Sequence, residues 1–173
     1  MLSHGMEGAL NDQLKQELFS EHLYLAMAAY CDASSLPGFS RWLEIQAGEE
    51  HDHAMRFFRF IQDRGGRVRL QAIPQPPLEF ASPLEVFEQA LAHEREITSM
   101  IDQIYVQAGA DGDHASQAFL QGFITEQVEE ERTASQIVDT LRMAGDSKTA
   151  LLMLDRELAQ RGAAAVALGS PPA

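Results

Sequence analysis

Glu49, Glu50 and His53 stand in the run GEEHDHA, Gly48 to Ala54, between Phe39, Leu43, Phe57 and Ile61, which recur at helical spacing. Glu50 and His53 continue that spacing, so an acid and an imidazole share the direction of the core residues. The pattern recurs along the chain. A helical face carrying Leu10, Leu14, Leu18 and Leu25 also takes Glu17, Glu21 and Tyr24. Glu94 falls among Val86, Ala90, Ile97 and Ile101. Glu126, Gln127 and Glu130 share a face with Phe119, Phe123, Ile137 and Leu141, while Glu49 and Glu129 lie at the edges of theirs.

An ionised carboxylate buried without a partner costs several kcal/mol even after relaxation. Lys15, Arg41, Arg56, Arg59, Arg95, Arg132 and Arg142 are all expected to project away from the inner faces, leaving the acids without a basic neighbour. Divalent cations would neutralise them. Carboxylates with a single imidazole suit iron or manganese better than a tetrahedral structural zinc site. Paired-metal bundles draw one Glu from each of two helices and a Glu-x-x-His from each of the others. Here Glu50 and His53 form one such motif, and Gln127 with Glu130 replaces the other, so the expected site is asymmetric. The separation of Glu17 from Glu50 equals that of Glu94 from Gln127, as in a pseudo-repeat of two hairpins. Such a repeat brings Glu17, Glu50, His53, Glu94 and Glu130 to one level.

Four long helices must hold this set. The first is expected from about Met6 to Asp32, ended by SSLPG, and the second from about Phe39 to Arg64, ended by Gly65-Gly66. Residues Gly65 to Pro83 contain Pro74, Pro76, Pro77 and Pro83 and show no sustained periodicity. A helix of about 26 residues is roughly 40 Å long, and some 17 extended residues reach roughly 55 Å, so this loop can join two parallel helices. Ser82-Pro83 starts a third helix to about Gly109, and a fourth runs from about His114 to Ala144. Asp146 is expected to cap a short fifth helix with Ala150, Leu151, Leu154 and Leu158 on one stripe. The fold class is therefore all-α: a four-helix bundle with one long crossover and a short fifth helix. Residues 1–160 form one domain, and the tail 161–173 is expected to be disordered.

Acidic residues outnumber basic ones 26 to 13, a net charge of −13 that disfavours nucleic acid and anionic membranes and favours cations. No apolar run is long enough to span a bilayer, no leader pattern opens the chain, and the expected location is cytoplasmic. Cys31, the single cysteine, excludes an intrachain disulfide and reads as a small core residue. His4, His22, His93 and His114 read as surface or edge residues, His51 and Asp52 as an outer face, and Trp42 as packing.

In LKQELFSEHLYLAMAAYC, EEHDHA, AHERE and FLQGFITEQVEEER the chain resembles the non-haem bacterial and archaeal ferritins, from about Met6 to Leu158. The resemblance implies a ferroxidase that oxidises iron(II) with dioxygen or hydrogen peroxide and deposits ferric oxyhydroxide inside a shell of 24 like subunits. It implies Glu17, Glu50 and His53 on one iron, Glu50 bridging to a second, and Glu94 and Glu130 completing that one. Gln127 and Tyr24 would hydrogen-bond beside the pair, with Tyr24 also able to give an electron. Glu49, Glu126 and Glu129, with Glu130, match an additional iron site, and the fifth helix resembles the one lining a four-fold channel. Gly122 departs from the family where many relatives carry an aromatic residue, and His51 is unusual beside Glu50. The haem-binding bacterioferritins carry methionine there and Glu-x-x-His in the last core helix, so no haem is expected. The alternative is a di-iron oxidoreductase or peroxidase without a cage, which a fused electron-transfer module with cysteine pairs would favour. A purely structural bundle would require the inward acids to be accidental.

Overall fold

The computed structural model describes residues 2–161. Five helices make it up: α1 His4–Ala33, α2 Pro37–Asp63, α3 Pro83–Ala110, α4 His114–Ala144 and α5 Lys148–Leu158. Ser3, Ser82, Asp113 and Ser147 cap α1, α3, α4 and α5, each side chain accepting a hydrogen bond from a first-turn backbone N–H. The cap of α5 is thus Ser147 rather than Asp146. Gly65 and Gly145 follow α2 and α4 with φ of 70° and 51°, left-handed values that favour glycine.

Antiparallel hairpins α1–α2 and α3–α4 form the bundle. Residues 64–82 cross between them along the flank of α1. Asn11 ties down the start of the crossover by donating to Arg67 O at 3.0 Å and accepting from Arg69 N at 2.6 Å. Near its end Phe80 packs edge-on to Tyr30 at 5.2 Å. These anchors lie near opposite ends of α1, so the loop returns along most of a helix, as its length predicts.

The apolar core falls into two clusters. One includes Tyr24, Leu43, Ala47, Phe87, Leu91, Val138 and Leu154; the other includes Leu14, Ala54, Phe57, Ile97, Ile101 and Phe123. On each long helix the division falls where a buried polar residue stands: Glu17, Glu50, Glu94 and Gln127. Leu25 departs from the expected face and is 46% exposed. In this half of α1 the buried positions include Ser20, Leu23, Tyr24, Met27 and Cys31, so the contact face has turned away from the flank that Leu18 and Leu25 share.

α2 begins at Leu36-Pro37 without a side-chain cap of its own. Buried Asp155 of α5 supplies one: its Oδ1 accepts from Gly38 N at 2.8 Å and Phe39 N at 3.0 Å, placing a carboxylate where the helix dipole favours it. A Cβ on Gly38 would lie 1.7 Å from Asp155 O, far inside van der Waals contact. Gly38→Ala should therefore undock α5 and lower stability by about 2–4 kcal/mol. A melting temperature equal to the parent's, with no new proteolytic cleavage near Gly145, would contradict this.

Candidate metal centre

Glu17 on α1, Glu50 and His53 on α2, Glu94 on α3 and Glu130 on α4 bound the polar layer. Ligand atoms of Glu17, Glu50 and His53 all lie within 4.8 Å of one another. His53 Nδ1 is 3.4 Å from Glu50 Oε2 and 4.0 Å from Glu17 Oε2. Side-chain amides and a phenol fix the carboxylates. Gln13 Nε2 donates to Glu17 Oε1 at 2.8 Å, and Gln46 Nε2 donates to Glu50 Oε1 at 2.8 Å and Glu130 Oε2 at 3.0 Å. Gln127 Nε2 donates to Glu94 Oε2 at 3.1 Å, and Tyr24 Oη donates to Glu94 Oε1. Glu17 Oε2 is buried with no hydrogen-bond partner. A cation at that atom would satisfy it.

Burial first, and then the charge of Glu50, push the Glu17 and Glu94 carboxyls up to about 8. Burial also raises Glu130, again with help from Glu50. Tyr24 is pushed well above the usual phenol range, first by burial and then by Glu94 and Glu50. Burial opposes the charged form of His53, yet its hydrogen bond and attraction to Glu50, with the charges of Glu17 and Glu126, raise it to about 9. Raised in this way, Glu17 and Glu94 favour their protonated forms at neutral pH, and a bound cation would displace those protons.

Gln13 and Gln46 are the site residues that the sequence analysis passed over. Each precedes an inward acid by one helical turn, a spacing at which Gln–Glu hydrogen bonds form, and the same offset recurs on both helices of the first hairpin. His93 is also not at the surface. It is buried, with Nε2 2.7 Å from Ser20 Oγ, and burial lowers its basicity. Glu21 faces outward rather than into the layer: its Oε2 is 3.1 Å from Nδ1 of exposed His51, joining α1 to α2.

Glu49, His53, Glu126, Glu129, Glu130, Thr133 and Arg161 line a cavity of about 390 Å³ beside the layer. Two arginines correct the expected absence of basic partners. Arg56 Nη1 donates to Glu126 Oε2 at 2.6 Å, and Arg161 Nη2 donates to Glu49 Oε2 at 2.6 Å. Both guanidinium groups lie over aromatic rings, Phe123 and Trp42, and the length of the side chain lets them reach acids that a helical wheel separates from them. Arg161 is the first residue of the expected tail and packs on the bundle; the rest of that expectation lies outside the described residues. For the inner set the expectation stands: among the described residues no Lys or Arg is within ion-pair distance of Glu17, Glu50, Glu94 or Glu130.

No described helix is long and apolar enough to cross a membrane. The sequence profile of the Ferritin-like domain matches residues 7–144. A bacterial non-heme ferritin of Bacteroides fragilis is 39% identical over 161 residues, covering 93% of this chain and all of the relative. One from Staphylococcus epidermidis is 42% identical over 93% of this chain and 97% of its own. A crystal structure of an open pore ferritin from the hyperthermophilic archaeon Archaeoglobus fulgidus superposes with a TM-score of 0.91 at 46% identity, over 92% of this chain and 98% of that one. With the bundle, its long crossover, the short fifth helix and an acid layer across the core all in place, the chain belongs to the ferritin-like family, in its non-haem bacterial and archaeal branch.

Proposed function

We propose that the chain is an iron-storing ferroxidase. Iron(II) is its substrate: Glu17, Glu50 and His53 take one ion, Glu50 reaches across to a second, and Glu94 and Glu130 complete that one. Gln13, Gln46, Gln127 and Tyr24 hold the carboxylates in place, which spares the site reorganisation as charge changes. Each iron(II) gives up one electron, and dioxygen or hydrogen peroxide accepts the pair. Hard, anionic oxygen ligands favour the ferric product. Glu49, Glu126 and Glu129 offer a further binding position beside His53 and Glu130. The product collects as ferric oxyhydroxide inside a shell of 24 copies, and no haem takes part. Residues 1–160 act as one domain in this scheme.

One observation carries the proposal: Glu17, Glu50 and His53 converge in the core with no Lys or Arg in ion-pair contact, and one buried oxygen of Glu17 has no partner. The relatives, named as non-heme ferritins, support iron as the metal and a shell as the assembly. Iron(II) added aerobically to gel-filtered protein should be oxidised rapidly, read by near-ultraviolet absorbance, and oxidation should continue far beyond site stoichiometry in a particle of shell size. Oxidation stopping at two or three irons per chain would leave a di-iron enzyme without a mineral cavity. No oxidation above the buffer rate would remove the proposal.

A further inference from the structure

Three carboxylates of the outer cavity, Glu49, Glu126 and Glu129, already have a cationic partner. Glu126 accepts from Arg56, Glu49 from Arg161 and Glu129 from Arg132. The Arg132–Glu129 pair is more than half exposed on both sides and contributes little. The other two arginines are seated. The Arg56 guanidinium lies 3.8 Å from the Phe123 ring centroid, and that of Arg161 lies 4.2 Å from the Trp42 centroid. Arg161 Nη1 also donates to Gln46 Oε1 at 2.9 Å, the amide whose other end holds Glu50 and Glu130. Gly122 supplies room for Arg56: a Cβ there would stand 3.0 Å from Arg56 Nη2.

We propose that Arg56 and Arg161 are resident counter-cations of the outer carboxylates, so that a metal ion binds at Glu49 and Glu126 only by displacing a guanidinium. This rests on the proposed iron-binding role of the layer. Glu126 Oε2 is 3.5 Å from His53 Nε2, so an ion leaving the inner pair meets Glu126 first and competes there with Arg56. The outer position is therefore weak and transient, suited to passing a product onward rather than holding it. The guanidinium returns to its aromatic seat when the ion has gone, and this keeps the cavity near neutrality between turnovers. Both residues are positioning residues and touch neither inner ion.

Anaerobic calorimetric titration with zinc(II), which has no redox chemistry, tests this on the full chain. The parent should show tight inner binding and a separate weak class. Arg56→Gln and Arg161→Gln together should tighten the weak class roughly tenfold, because two positive charges within a few ångströms of the ion are removed. Inner affinity should change less than the outer, since Arg161 reaches the inner set only through Gln46 and the charge it presents to Glu130. Gly122→Leu, which crowds the Arg56 seat without removing its charge, should give part of the gain. Adding Glu126→Gln to the double variant should abolish it. An outer class that is unchanged or weaker in the double variant would overturn the inference, as would a gain that survives loss of Glu126. If the parent lacks the tight inner class, the proposed function falls too; if only the outer response is missing, the function stands and the arginine role does not.

Discussion

Replacing Glu50 should lower the initial rate of iron(II) oxidation by roughly a hundredfold or more. Loss of a residue that merely orients a metal ligand costs about 10–100-fold, and Glu50 is proposed as a ligand to both ions. Its Oε2 faces His53 at 3.4 Å, and its Oε1 is held by Gln46 Nε2 at 2.8 Å. Glu50→Ala removes the proposed bridge and leaves the Gln46 amide with only Glu130 to hold. Glu50→Gln keeps the side-chain volume and removes the charge, separating loss of a ligand from loss of packing. The metal-free protein should not suffer in the same way. The charge of Glu50 helps to raise Glu17, Glu94, Glu130 and Tyr24, so its removal relieves repulsion within the layer. A slow variant with a melting temperature equal to or above the parent's is the expected pair of results. Initial rates matching the parent in Glu50→Ala would remove Glu50 from the site.

The fold was legible because its signals are local. Prolines and glycines mark the ends of the long helices, Ser82-Pro83 starts α3, and the crossover is long enough to join parallel helices on either side. The inner acids were legible for a related reason: an acid at a core position breaks the apolar period and so announces itself. Leu25 was misplaced because one fixed face was drawn through the whole of α1, whereas its buried flank passes from Leu10, Leu14 and Glu17 to Leu23, Met27 and Cys31. The arginines were misplaced for a different reason. A helical wheel fixes where a Cβ points, whereas a guanidinium sits several bonds farther out and can fold over Phe123 or Trp42. Asp155 gave no signal, since its partners are backbone N–H groups on another helix far away in sequence. Gln13 and Gln46 did carry one. Glutamine one turn before an inward glutamate, repeated on two helices, is the pattern of an acid being held for use.

Stabilisation by bound metal should grow steeply between about pH 6 and pH 8. The sign follows from three groups. Glu17 and Glu94 have ordinary values of 4.5 and are raised to about 8 in the folded chain. Between those values the unfolded chain has lost their protons and the folded chain has kept them, so metal-free stability falls as pH rises and the loss is complete above about 8. His53 is raised from 6.5 to about 9, so its contribution is present in full below 6.5 and disappears as pH rises through 9. All three act in the same direction, and the metal-free layer becomes less stable toward alkaline pH. Metal binding reverses this. Carboxylates and imidazole must shed their protons to coordinate, so affinity rises across the window in which the metal-free protein weakens. At pH 7 zinc(II) binding should release about two to three protons per chain, seen as a binding heat that changes with the ionisation enthalpy of the buffer. The zinc-induced rise in melting temperature should be several-fold larger at pH 8 than at pH 6. A rise independent of pH, with heats indifferent to the buffer, would mean that the acids of the layer are already ionised without metal. The partnerless oxygen of Glu17 would then need another explanation.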